Sequence, residues 1–152
     1  MRGATVVGRR RGSVFPTPPR VALAAATYAE ARTLFPSLSA QSFSLRTKIL
    51  EVESCLEDRV FEVHPEVSFA ALAGRHLRHS KRSWNGQAER RRLLRGAGID
   101  LPEELAAGQA APDDVLDAAV AAWSAARKAK GEAATLPSDP PLLDGRPVAI
   151  WY

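Results

Sequence analysis

The stretch of residues 112–130 constrains the fold most, because it predicts a long amphipathic helix. Leu116, Val120 and Trp123 recur at helical spacing (i, i+4, i+7) and form one apolar face. The proline at its start, the three aspartates in its first turns and the basic residues in its last turn all agree with the direction of the helix dipole. Such a face needs an apolar partner surface, which is normally a sheet.

Helices are expected along most of the chain, since 27 of its 152 residues are alanine, the residue with the best helix propensity. Apolar spacing and capping residues predict further helices over 22–35, 39–57, 65–72 and 87–95. Within 39–57 an apolar stripe is predicted to face the core; it consists of Leu45, Ile49, Val52 and Leu56. Within 87–95 the arginines, Arg90 among them, are expected to be solvated.

Strands are expected at only two places, residues 60–64 and residues 147–152, with a proline-rich and aspartate-rich loop over 136–146. The predicted fold class is therefore α/β, mostly helical with one or two strands. Residues 1–19 are rich in glycine and proline and are expected to be irregular. The length suits one domain, which would take up residues 20–152.

The composition also limits the chemistry and the location of the protein. The single cysteine, Cys55, excludes an internal disulfide framework and a multi-cysteine zinc site, and its position near the end of an apolar stripe predicts burial. No window approaches about 18 consecutive apolar residues, so no membrane span is expected. Since no targeting segment is convincing, we expect a cytoplasmic protein.

Charge is segregated along the chain. Residues 75–95 hold eight lysines and arginines and one acid, Glu89, whereas residues 99–118 hold six acids and no lysine or arginine. A metal-dependent nuclease needs both surfaces, because basic residues hold phosphates and carboxylates hold Mg²⁺. The alternative is two solvated surfaces that differ in sign.

Three aspartates open the predicted helix over 112–130. On a helix, Asp114 and Asp117 (i, i+3) share a face, and Asp113 and Asp117 (i, i+4) are also neighbours. Carboxylates this close repel one another unless a cation lies among them, and Mg²⁺ prefers such oxygen ligands. The alternative is helix capping, which accounts for Asp113 or Asp114 better than for Asp117, one turn further in.

Two other segments carry candidate functional residues. Glu62, His64 and Glu66 lie at the end of the first predicted strand, where they could bind metal or act as general acid and base; the alternative is an ordinary strand edge and helix start. Residues 80–90 combine basic residues, hydroxyls and Trp84, a composition that can bind phosphate. Here the alternative is a solvated loop with Trp84 packed against the core.

Several segments, taken in order, resemble one family. They read SVFPTPPR at 13–20, TYAEA at 27–31, KILEV at 48–52, EVHPE at 62–66, SKRSWNGQAERRRLL at 80–94, DDVLDA at 113–118 and GRPVAIWY at 145–152. Together they resemble the predicted ribonuclease H-like nucleases known as domain of unknown function 429. The stretch DVLDA at 114–118 is also similar to the D-x-x-D-A on the last catalytic helix of Holliday-junction resolvases.

The resemblance implies a ribonuclease H-like fold, a mixed sheet flanked by helices, and cleavage of nucleic acid phosphodiesters with Mg²⁺ or Mn²⁺. It implies a role for each group of candidate residues. Asp114 and Asp117 would hold the metal, Glu62, His64 and Glu66 would line the cleft, and Lys81, Arg82 and Arg91 would contact the phosphates of DNA or RNA.

The chain departs from the family pattern at its start. It lacks the G-x-D-G strand that supplies a first catalytic aspartate and the D-x-P-x-G strand that supplies a second acid. It therefore corresponds to the C-terminal two thirds of the domain. We expect a nuclease that is truncated and inactive as written, with an incomplete sheet prone to self-association. The alternatives are a non-catalytic nucleic-acid-binding or accessory protein and a degraded gene product.

Overall fold

Of the residues that the structure describes, 49% are helical, and the strands are short. The structure is a computed structural model, and it describes residues 18–105, 108 and 110–152. The helices are α1 (Arg20–Leu23), α2 (Tyr28–Leu34), α3 (Ala40–Ser44), α4 (Arg46–Ser54), α5 (Pro65–Ala73), α6 (Trp84–Gly96) and α7 (Pro112–Ala129). The strands are β1 (Glu62–Val63), β2 (Thr135–Leu136), β3 (Leu142–Leu143), β4 (Arg146–Pro147) and β5 (Ile150–Trp151).

The described residues fall into two compact units, 18–60 and 61–152. In the unit 61–152, helices α5, α6 and α7 pack against one another. Their contact is a fully buried cluster of Phe69, Leu94, Leu116 and Val120, against which Trp123 is half-buried. The predicted helix over 112–130 and its apolar stripe are therefore confirmed as α7. The main partners of the stripe are the helices α5 and α6, whereas a sheet was expected.

A single hydroxyl pair crosses this apolar contact. The hydroxyl of Ser124 on α7 donates a hydrogen bond of 2.8 Å to the hydroxyl of Ser68 on α5, and both side chains are fully buried. Buried hydroxyls cost free energy unless they are paired, so this bond fixes which faces of the two helices meet.

The main sheet of the unit 61–152 is mixed. β5 lies in the centre, parallel to β1 and antiparallel to β2. The predicted strands over 60–64 and 147–152 are present but shortened to β1 and β5. The predicted loop over 136–146 instead contains a hairpin of β3 and β4, turned by Asp144 and Gly145, which both have positive φ. An Asp-Gly turn is a strong signal for a hairpin, but the two strands beside this turn have only two residues each, too few to show a strand pattern in the sequence.

The unit 18–60 has its own small core. Ala22, Ala31, Leu38 and Phe43 pack together, and the Tyr28 hydroxyl donates to the carbonyl oxygen of Leu38 at 3.0 Å. With Ala25, alanines are three of the five buried residues of this core.

Both helices predicted in this unit are divided. Thr27 interrupts the predicted helix over 22–35, because its hydroxyl accepts a hydrogen bond from the backbone N–H of Glu30 and so begins α2. Ser39 is the predicted cap and accepts from the N–H of Ser42, but its helix ends at Ser44 and α4 follows.

The predicted apolar stripe on α4 is wrong. None of the nine residues of α4, all of them described, is buried, and Leu45, Val52 and Leu56 are 41–54% exposed. The alanines of α1 and α2 and Phe43 fill the core in their place. Cys55 is exposed, which corrects the prediction that it is buried.

Four sequence predictions concern the start of the chain, its location, its domain count and its self-association. The predicted irregular segment 1–19 falls outside the described residues except for its last two. Within the described part of the chain, no helix is both long and apolar enough to cross a membrane. A cytoplasmic location, a single domain over 20–152 and self-association stay predictions.

Leu116→Ala tests the importance of the helix contact. Removing this fully buried side chain should lower the free energy of unfolding by about 2–5 kcal/mol, because transfer energy is lost and a cavity remains. Urea unfolding followed by tryptophan fluorescence reports on this unit, since Trp84, Trp123 and Trp151 all lie in it. The control Leu142→Ala removes an exposed leucine and should change stability by less than about 0.5 kcal/mol. Equal effects would contradict the packing described.

Candidate functional site

Acidic side chains of two helices converge on the loop between α5 and α6. Asp113 and Asp117 lie one turn apart on α7, and Lys81 of the loop reaches both. Its ammonium group donates a hydrogen bond to Oδ2 of Asp117 and lies 3.7 Å from Oδ2 of Asp113. Nε of Arg82 lies 3.8 Å from the same Asp113 oxygen. The cation that the aspartates require is therefore provided by the protein itself.

The local sequence explains how Lys81 is held there. Ser83 caps α6, since its hydroxyl accepts from the N–H of Gly86 at 3.2 Å. Gly86 is essential to this turn, because a Cβ at that position would come within 1.8 Å of the carbonyl oxygen of Ser80. The loop thus folds directly back over the first turn of α6, with Lys81 directed toward α7.

Burial and ionic contacts shift the pKa values of this pair. Burial raises the pKa of Asp117; the hydrogen bond and charge of Lys81 oppose this, and the negative charges of Glu66 and Asp113 add to it. Burial lowers the pKa of Lys81, but the hydrogen bond to Asp117 and the charges of the three carboxylates outweigh burial, so the net shift is upward. The lysine therefore stays protonated at neutral pH. The other oxygen of Asp117, Oδ1, is buried and has no hydrogen-bond partner among the described residues.

Glu66 has a cation of its own. Its carboxylate accepts two hydrogen bonds, of 2.7 and 2.9 Å, from Nη2 of Arg90, which is fully buried. Nη1 of Arg90 donates to the carbonyl oxygens of Gly86 (3.0 Å) and His79 (3.2 Å). The guanidinium group also lies 5.2 Å from the centre of the Phe69 ring. Arg90 therefore links α5, α6 and the loop between them.

The burial of Arg90 corrects the prediction that it is solvated. The arginine run suggested an exposed face, but Gly86, Arg90 and Leu94 recur every fourth residue and are all buried. This periodicity was the sequence signal that could have identified Arg90. Its carboxylate partner lies 24 residues earlier in the chain and carried no comparable signal.

The structure brings together only some of the predicted site residues. Asp117 and Glu66 meet around Lys81, whereas Asp114 is exposed in the first turn of α7 and Arg91 is exposed on α6. Asp113, rather than Asp114, is the second aspartate at the lysine. In the sequence, Asp113 and Asp114 are both helical neighbours of Asp117. Only the position of the loop decides which of the two lies at Lys81.

Glu62 and His64 lie at the end of β1 and at the cap of α5. Partial desolvation raises the pKa of the Glu62 carboxyl, and the charge of His64 lowers it in part. Trp84 is 84% exposed, so the alternative in which it packs against the core is wrong.

The residues present do not fit a metal ion as they are arranged. Among the residues that the structure describes, no group of three or more histidines, cysteines or carboxylates is placed to hold a metal. The ammonium group of Lys81 lies where a cation would bind Asp113 and Asp117, and Arg90 engages both oxygens of Glu66. Mg²⁺ would have to displace a tethered positive charge to reach these oxygens.

Arg90→Leu should lower the free energy of unfolding by about 3–5 kcal/mol, because it leaves the Glu66 carboxylate buried without its partner. Arg90→Leu/Glu66→Leu should recover much of this loss. The control Arg91→Leu changes the adjacent, exposed arginine and should have an effect below about 0.5 kcal/mol. Urea unfolding measures all three. Similar stability of the Arg90 and Arg91 variants would show that the buried pair is absent.

Lys81→Met should raise the pKa of Asp117 further, because it removes the two interactions that oppose burial. An acid whose pKa is raised in the folded state binds protons more tightly there than in the unfolded state. The variant should therefore lose stability as pH rises from the unfolded-state pKa of Asp117 through its raised folded-state pKa. Carboxyl chemical shifts followed by NMR against pH measure the change directly. Arg82→Gln, which contacts Asp113 instead, is the control. An unchanged Asp117 titration in the Lys81 variant would contradict the ion pair.

Comparison with known proteins yields one family. The family described as "Protein of unknown function (DUF429)" matches residues 2–142. The match includes every residue of the acidic site and the loop that carries Lys81. No curated protein and no solved structure matches the chain. Because the match covers well over half of its length, the chain belongs to the DUF429 family.

Proposed function

We propose that this protein binds nucleic acid through the basic residues of its loop and α6, and that it does so without cleaving it. In this proposal the chain has the ribonuclease H-like fold that its motifs resemble, with the β1, β5 and β2 sheet as part of that fold. The single observation that carries the proposal is the ammonium group of Lys81 between Asp113 and Asp117.

The absence of cleavage follows from the charges around the carboxylates. Hydrolysis with Mg²⁺ relies on carboxylate oxygens that are available to the ion. Here Lys81 neutralises Asp117 and Asp113, and Arg90 holds Glu66 through two hydrogen bonds. A site that supplies its own cations has little remaining affinity for a divalent one.

Binding follows from the cations that point outward. Arg82 is 85% exposed, and Arg91 is exposed on α6. Exposed arginines attract phosphates and release counterions when they bind them. Lys81 was predicted to be a phosphate contact, but it is occupied at the acidic site, so the proposal assigns that role to the arginines.

Metal-dependent hydrolysis of phosphodiesters is the second candidate. The observation that favours it is the unpartnered, buried Oδ1 of Asp117, close to the negative charges of Glu66 and Asp113. Mg²⁺ or Mn²⁺ would bind this cluster only after Lys81 is released. In the first candidate function Lys81 stays paired with Asp113 and Asp117, and in the second it is released from them.

Binding should weaken steeply with salt. The affinity for a fluorescently labelled oligonucleotide, measured by polarisation between 50 and 200 mM salt, should fall as counterion release predicts. Arg82→Gln/Arg91→Gln should weaken binding and reduce the salt slope by about 1–2. Arg59→Gln removes an exposed arginine of the other unit as a control and should have little effect. Absence of binding at 50 mM salt would refute the proposal.

The protein should not cleave DNA or RNA in Mg²⁺ or Mn²⁺, and Mn²⁺ should not raise its thermal unfolding temperature. Lys81→Met should bind Mn²⁺ better, so a rise in melting temperature is expected for that variant. Asp117→Asn in the same background should abolish the rise, whereas Asp114→Asn, which changes the exposed aspartate, should not. Cleavage by the unmodified chain that is lost in Asp117→Asn would establish the second candidate instead.

A further inference from the structure

A groove of about 390 Å³ lies between the loop and α6, and none of the residues that line it belongs to the acidic site. The loop contributes Arg75, Arg78 and His79, and the helix contributes Asn85, Glu89 and Arg92. Its volume is in the range of small-ligand sites, about 300–1,000 Å³. No role has been assigned to this groove so far.

The charges of the groove are arranged for an anion. Arg75 donates to Glu89 at 2.7 Å, an ion pair that fixes one wall. Arg78 and Arg92 are exposed and make no ion pair within the described part of the chain, so their guanidinium groups are available to a ligand. Arginine forks match the oxygens of a phosphate, and two of them lining one groove suit a phosphodiester.

An exposed aromatic ring lies on the helix stripe next to this groove. Trp84 precedes Ala88 by one turn on α6, and Ala88 lines the groove together with Asn85. With 84% of its surface exposed, the indole ring contributes little to the core. Large exposed aromatics beside cationic grooves serve as stacking surfaces for bases of single-stranded nucleic acids.

We infer that this groove binds a segment of single-stranded nucleic acid, with a phosphate held by Arg78 and Arg92 and a base stacked on Trp84. A base within a duplex is already stacked on both faces, so neither face is available to stack on Trp84. The groove therefore favours single strands over duplexes. This inference rests on the proposed function and gives it a substrate class and a location.

The test compares three ligands of equal length at fixed salt: a single-stranded oligonucleotide, its duplex and an abasic single strand. The single strand should bind more tightly than the duplex or the abasic strand, and it should quench tryptophan fluorescence. Trp84→Ala should weaken single-strand binding about 5- to 100-fold, the loss expected for one stacked base. It should leave abasic-strand binding unchanged, and Trp84→Phe should retain most of the affinity.

Arg78→Gln/Arg92→Gln should weaken binding of both the single strand and the abasic strand, whereas the control Arg59→Gln should weaken neither. Salt-dependent binding that is equal for duplex and single strand and unchanged in Trp84→Ala overturns this inference and leaves the proposed function standing. Weaker binding in Arg82→Gln/Arg91→Gln together with unchanged binding in Arg78→Gln/Arg92→Gln would also overturn this inference and leave the proposed function standing. Absence of binding to every oligonucleotide overturns both. Since Trp84, Arg78 and Arg92 are exposed, these variants are expected to fold.

Discussion

The buried ion pair between Arg90 and Glu66 is the constraint on which the rest of the site depends. A buried guanidinium group is costly unless its donors are paired, and here Nη2 donates to Glu66 and Nη1 donates to the carbonyl oxygens of Gly86 and His79, whereas Nε has no partner among the described residues. These contacts fix α5 against α6 and hold the loop over the helix start. The position of that loop then determines which acidic residue of α7 Lys81 can reach.

The segregation of charge along the sequence becomes pairing in the fold. Arg90 and Lys81 turn inward from the basic segment; Arg90 pairs with Glu66, and Lys81 lies between Asp113 and Asp117. The remaining arginines of the segment stay on the surface, where like charges accumulate. The same stretch of chain therefore supplies the cations of the acidic cluster and most of the charged residues that line the groove.

The helix α7 could be predicted from the sequence because its signals are local: a proline, an apolar period and charges that match the dipole. The burial of Arg90 could not, because it depends on a carboxylate far away in the chain. Asp113 and Asp114 are equivalent as sequence neighbours of Asp117, and only the loop that carries Lys81 distinguishes them. The exposed face of α4 shows the limit of periodicity, since a regular apolar stripe marks a face but does not say that anything covers it.

The loop and α6 supply the cations that pair with the acidic residues of α5 and α7, and they also line the groove. The loop carries Lys81 toward Asp117 and Arg78 toward the groove, and α6 carries Arg90 toward Glu66 and Arg92 toward the groove. A tethered ammonium group has a high effective concentration at its carboxylates, so a free cation competes poorly with it. In the proposed function, the loop that keeps a metal from the carboxylates through Lys81 is also the element that offers Arg78 to a phosphate, so one segment accounts for both the absence of cleavage and the presence of binding.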